Sequence, residues 1–167
     1  MATATRIGTS PLDRRSFSLG LAALLAVPAT AMAQARPAVF AEVWKEPDCG
    51  CCKEWVSHLE ANGFKVRVND TGNDTVRGKL GVADRWGSCH TALIGGYAIE
   101  GHVPAREIHR LLKEKPGAVG LSVPGMPVGS PGMDSPLYGG RRDAYNVMLL
   151  ARDGSAAVYQ RYEGRRS

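Results

Sequence analysis

Apolar and polar residues alternate in short blocks along this chain, and their spacing switches between period two and a period of about 3.6. Val39 to Trp44, rich in β-branched and aromatic residues, predicts a first strand that is over before Pro47. "CCKEWVSHLEANG" then places apolar residues at Trp55, Val56 and Leu59 and stops at Asn62-Gly63. That is the pattern of a helix starting near Cys51, with Asp48 as its cap. "FKVRVND" alternates from Phe64 to Val68 as a strand does, and "DTVRGKLGV", Asp74 to Val82, predicts a short helix. Thr91 to Ile94 and Tyr97 to Glu100 read as two short strands around a Gly95-Gly96 turn. Pro104 suits the first turn of a helix that runs to Lys115 and is ended by Pro116-Gly117. Beyond a Met/Pro/Gly-rich loop at 117–140, Tyr145 to Leu150 and Ala156 to Tyr162 predict a hairpin that turns at Asp153-Gly154 and extends the sheet.

The predicted class is α/β. The order β-α-β-α-β-β-α is thioredoxin-like, with the C-terminal β-hairpin as an extension, and it sets a cluster of cysteines between the first strand and the first helix. Residues 1–33 read as an address. "DRRSFSLG" puts Arg14 and Arg15 ahead of Phe17, the apolar "LAALLAVPA" follows, and "AMA" at Ala31 to Ala33 is a small-residue cleavage site. This predicts a twin-arginine signal peptide, export to the periplasm, a linker at 34–38 and one domain at 39–167. The apolar run is about half a membrane span, so no membrane span is expected in the mature chain. Losing Arg6, Arg14, Arg15 and Asp13 lowers the net charge from +5 to about +3. The remaining Lys and Arg are scattered and carry no nucleic-acid motif, so no nucleic-acid partner is expected.

The chemistry sits in "EPDCGCCKEW", where Cys49, Cys51 and Cys52 crowd three thiols into four positions. Cys49 and Cys52 form a C-x-x-C pair at a helix start, where the dipole stabilises a thiolate, and alone they would be a redox couple. Cys51 does not serve that reading. An extra thiol beside the resolving cysteine risks trapped mixed disulfides, whereas three thiolates make a chelate. "SCHT" enters the third strand where a thioredoxin carries its cis-proline, so the topology returns Cys89 to the other three. Soft thiolates select Cu(I), zinc or iron–sulfur clusters. Tetrahedral zinc needs a wider spread than Cys-x-Cys-Cys offers, while sulfur bridges suit a small multinuclear Cu(I) cluster, so copper is favoured over zinc. A pair of ordinary disulfides is the structural alternative.

"EPDCGCCKEW", "GSCHTALIGGYAIEGHVPAREIHRLL" and "GLSVPGMPVGSPGMD", in that order from Val39 to Asp134, resemble the CopG-type metal-binding proteins, an exported family associated with copper resistance. The resemblance implies a thioredoxin-like fold and periplasmic copper handling, with Cys49, Cys51, Cys52 and Cys89 as the metal site. It says nothing of the C-terminal hairpin.

Other residues could add to this site. His90 adjoins Cys89 and could ligate or hold a thiolate. Met126 and Met133, in "PGMP" and "PGMD", offer soft thioethers on a loop that Pro124, Pro127 and Pro131 could hold as a lid. His102, between a strand and a helix, suits helix capping better than ligation; His58 and His109 read as surface residues, and Trp44 and Trp55 as core. The sequence therefore points to a non-enzymatic periplasmic protein that binds copper ions, with copper-resistance proteins as partners. The alternative is a thiol-disulfide or copper-dependent oxidoreductase using Cys49 and Cys52.

Overall fold

The computed structural model describes Met1, Thr3 and residues 38–165. The Arg14-Arg15 motif, the Ala31 to Ala33 site and most of the 34–38 linker lie outside the described residues.

Seven strands form one mixed sheet: β1 (Val39–Lys45), β2 (Phe64–Asn69), β3 (His90–Ile94), β4 (Tyr97–Glu100), β5 (Gly120–Ser122), β6 (Tyr145–Leu150) and β7 (Ala156–Tyr162). Three α-helices among the described residues accompany them: α1 (Gly50–Ala61), α2 (Asp74–Lys79) and α3 (Ala105–Glu114). The strand order is β2-β1-β3-β4-β5-β6-β7. β1 runs parallel to β2, and β4 to β5; the remaining neighbours are antiparallel.

The two faces follow from period-two alternation. On one face Ala41, Val43, Ala92, Ile94, Ile99 and Leu121 pack against Trp55 and Leu59 of α1 and Ile108 and Leu111 of α3. Ala98 belongs to a second, smaller cluster with Val82 and Leu150. Helix α1 buries Cys52, Trp55 and Leu59, one stripe at helical spacing, so its first turn is bolted to the core and holds its cysteines at the end of the interior strands β1 and β3.

Three sequence expectations change. The first helix begins at Gly50, with Cys49 at the N-cap and no side-chain cap bond, so Asp48 is not its cap. Helix α2 ends at Lys79 rather than Val82, because Gly81 takes a positive φ of 82°. The loop at 117–140 contains a strand that the pattern did not reveal: β5, held by β4 on one side and β6 on the other. β5 is therefore what joins the C-terminal hairpin to the sheet. Tyr145 stacks on Tyr162 within the hairpin, and a 2.9 Å bond from the Tyr162 hydroxyl to Glu107 ties the hairpin to α3.

Candidate metal centre

Four sulfur atoms meet where β1 passes into α1 and where the chain enters β3. Cys49 ends the loop after β1, Cys51 and Cys52 lie in the first turn of α1, and Cys89 immediately precedes β3. All four Sγ atoms lie within 4.8 Å of one another. Cys49 and Cys52 are joined as a disulfide, while Cys51 and Cys89 are free and half-buried. Cys51 Sγ is 3.5 Å from Cys49 Sγ and 3.9 Å from Cys89 Sγ, which makes it the middle of the group. Cys52 is fully buried, with its sulfur 3.5 Å from the Cys89 carbonyl oxygen.

A second donor set shares Cys89. His90 and His102 are both fully buried, and with Cys89 they offer one sulfur and two nitrogens within 4.8 Å. His102 Nδ1 lies 2.8 Å from the Pro131 carbonyl oxygen and can bond there only as a donor. Its Nε2 therefore carries the lone pair, and that atom sits 3.1 Å from Cys89 Sγ. The Cys89 thiol donates to it. His90 Nδ1 is 3.4 Å from the same sulfur, and its ring packs against Trp55, tilted by 37° at a centroid distance of 4.2 Å. His90 Nε2 is buried and has no hydrogen-bond partner among the described residues.

The electrostatics keep Cys89, His90 and His102 neutral in the metal-free site. Burial pushes the Cys89 thiol up to about 12, with the nearby Cys51 sulfur adding to the rise. Burial also lowers His90 well below the ordinary imidazole range, helped by neighbouring His102, and it lowers His102 against the pull of the Pro131 carbonyl. Neutral imidazoles and a protonated thiol are the forms a metal ion finds; binding must expel the thiol proton.

The loop after β5 closes over this group. Met126, half exposed, brings its sulfur to 4.0 Å from Cys51 Sγ. Met133 is buried and its sulfur meets the Tyr138 hydroxyl at 4.0 Å. Gly132 makes the close approach possible: at φ +83°, a Cβ there would stand 2.5 Å from the Cys51 carbonyl and 2.9 Å from the Trp55 amide nitrogen.

Sequence reasoning gathered the four cysteines, His90 and Met126, and the structure brings these together. It misjudged two histidines. His102 faces Cys89 instead of capping α3; the cap belongs to His58, whose Nε2 accepts from the Ala105 amide at 3.0 Å. His58 is accordingly half-buried, with its pKa lowered by burial. His109 is exposed as expected, stacked on Phe64. Trp55 is core, its Nε1–H donating to the Val103 carbonyl at 2.9 Å, and Trp44 is half-buried.

Residues 86–133 match a family model described as "Protein of unknown function, DUF411". No curated protein matches the chain. Two solved structures are similar. "Copper resistance protein copG- Form 1" is 48% identical, with a TM-score of 0.70, over 77% of this chain and 100% of that one. "Copper resistance protein copG- Form 2" is 48% identical, with a TM-score of 0.69, over 75% of this chain and 98% of that one.

Proposed function

The chain belongs to the CopG-type copper-resistance family, and from that premise we propose that it is a periplasmic copper-binding protein that holds Cu(I) on Cys49, Cys51, Cys52 and Cys89. The observation that carries this reading is the convergence of four sulfurs within 4.8 Å, with two neutral imidazoles and a thioether at its margin. Such a donor set favours a soft monovalent ion, and sulfurs this close suit bridging between several copper ions better than the open corners of one zinc site. Full use of the four thiolates requires the Cys49–Cys52 disulfide to be opened first by a dithiol reductant, which supplies the two electrons and two protons and leaves as its own disulfide. The copper is cargo, held for resistance or homeostasis and passed to copper-resistance proteins of the same compartment.

The same proposal covers the frame and the address. The β2-β1-β3-β4 part of the sheet, with β3 antiparallel to its neighbours and with α1 and α3 on the core face, supports a thioredoxin-like domain over 39–167 that the hairpin extends. Residues 1–33 are its twin-arginine signal. No helix among the described residues is long and apolar enough to cross a membrane.

One observation favours a second reading. The Cys49–Cys52 disulfide is the oxidised form expected of a thiol oxidoreductase whose resolving thiol is the buried Cys52. Metal content and free thiols, measured on mature protein purified anaerobically from the periplasm, separate the two. Copper above one equivalent per chain that is lost in Cys51→Ser supports the copper-binding reading. A metal-free chain that exchanges disulfides equally well with Cys51→Ser supports the oxidoreductase.

A further inference from the structure

Next to the sulfur group lies a set of buried polar residues that metal binding leaves unused. Glu100, on β4, is fully buried, yet both its carboxylate oxygens are engaged. Oε1 accepts from the Ser88 backbone N–H at 2.7 Å, and Oε2 accepts from the Thr91 hydroxyl at 2.5 Å. Those two partners bracket Cys89 and His90. Asn73 grips the same pair, its Nδ2 donating to the Ser88 carbonyl at 3.2 Å and to the Thr91 hydroxyl at 3.1 Å. Arg77 Nη1 donates to the Ser88 carbonyl at 3.4 Å and stands 3.6 Å from Glu100 Oε1, which compensates the carboxylate.

A buried charge of this kind gives no stability that a packed apolar group could not match. Its distinctive effect is on the backbone. Ser88 lies outside β3, so its N–H and C=O have no ladder partner, and Glu100 with Asn73 and Arg77 supplies both. We infer that Glu100 is the positioning residue of Cys89: it fixes the chain on both sides of the cysteine so that the thiol faces Cys51. The constraint reaches the loop above as well, since the Ser88 hydroxyl donates to the carbonyl of Gly125, the neighbour of Met126. Its consequence for copper rests on the reading proposed above; the geometry does not.

The test therefore reads geometry without metal. In a Cys49→Ser/Cys52→Ser chain the remaining thiols, Cys51 and Cys89, close to a disulfide when diamide takes up their two electrons and two protons. Glu100→Gln keeps one acceptor and puts an amide NH2 where the other stood, so that the Thr91 hydroxyl must turn round to accept from it. It also removes the charge that Arg77 faces, and slows closure by roughly tenfold. Asn73→Ala slows it in the same sense and decides the matter if Glu100→Gln fails to fold. Val147→Ala, a core truncation on β6, controls for lost stability and leaves the rate unchanged. Equal rates in parent and Glu100→Gln, or equal slowing by Val147→Ala, overturn the inference. Cu(I) competition on the chain with all four cysteines is the second readout, with weaker binding expected in Glu100→Gln. A parent that binds no copper while Glu100→Gln still slows closure sinks the copper reading and leaves the positioning role standing.

Discussion

Cys89 and His102 face each other across the end of the β3–β4 hairpin, with Sγ and Nε2 3.1 Å apart. The hairpin dictates this pairing. Ile94 pairs with Tyr97 and Thr91 with Glu100, and the Gly101 N–H donates to the His90 carbonyl at 2.9 Å. Two steps beyond the last pair of the ladder, the register delivers Cys89 opposite His102. The Pro131 carbonyl then sets the tautomer, so one loop and one hairpin cooperate to aim a lone pair at a thiol.

His102→Ala removes the acceptor of the Cys89 thiol and leaves the Pro131 carbonyl without its donor. The expected result is a loss of about 1–3 kcal/mol of stability by chemical denaturation. Cu(I) affinity in a competition titration should fall by roughly ten- to a hundredfold. Unchanged copper affinity would confine His102 to a structural role.

Gly132 is a second point where loop and helix are matched. A Cβ at its φ of +83° meets the backbone of Cys51 and Trp55, neither of which can step aside while α1 is packed. Gly132→Ala must lift the loop, and Pro131 with it. It should lower stability by about 1–3 kcal/mol and loosen the His102–Pro131 bond, seen as faster exchange of the His102 ring proton by NMR.

Acid should weaken the metal-free fold through His90. Unfolding returns this imidazole to its ordinary range near 6.5, so below that value the unfolded chain binds a proton that the folded chain refuses. Its contribution is complete above that range and is lost as pH falls toward its depressed folded value. Glu100 acts in the opposite sense. Burial raises it from 4.5 to about 7, so stability falls as pH rises through that window. Denaturation at about pH 7.5 and about pH 5.5 checks both: His90→Gln should lose less stability on acidification than the parent, and Glu100→Gln should lose more.

Much of this site was legible before any coordinates, because its parts lie on regular elements. Strand periodicity located β1 through β4, the Gly95-Gly96 turn fixed the register of β3 against β4, and the cysteines fell at ends of elements. His102 was readable by the same register, had the hairpin been counted two residues past its ladder. The rest was hidden for physical reasons. β5 is three residues long, and its strand conformation comes from Ala98 and Leu150 on either side rather than from "GLS" itself. The His58 cap joins residues 47 apart in sequence, and the role of Glu100 depends on burial; neither leaves a mark on local composition.

The two loop methionines look alike in sequence and should separate in experiment. Met126 is 53% exposed with its sulfur 4.0 Å from Cys51, whereas Met133 is 9% exposed and faces Tyr138. Leucine keeps the bulk of either side chain and removes only the thioether donor. Met126→Leu should therefore leave stability within about 0.5 kcal/mol of the parent and weaken Cu(I) binding several-fold, because an exposed side chain contributes little to packing and much to a metal it touches. Met133→Leu should show the reverse: a cost of up to about 1.5 kcal/mol and unaltered copper affinity. Parallel denaturation and Cu(I) competition on the two variants decide it. Equal copper affinity in Met126→Leu and the parent would remove the loop sulfur from the site.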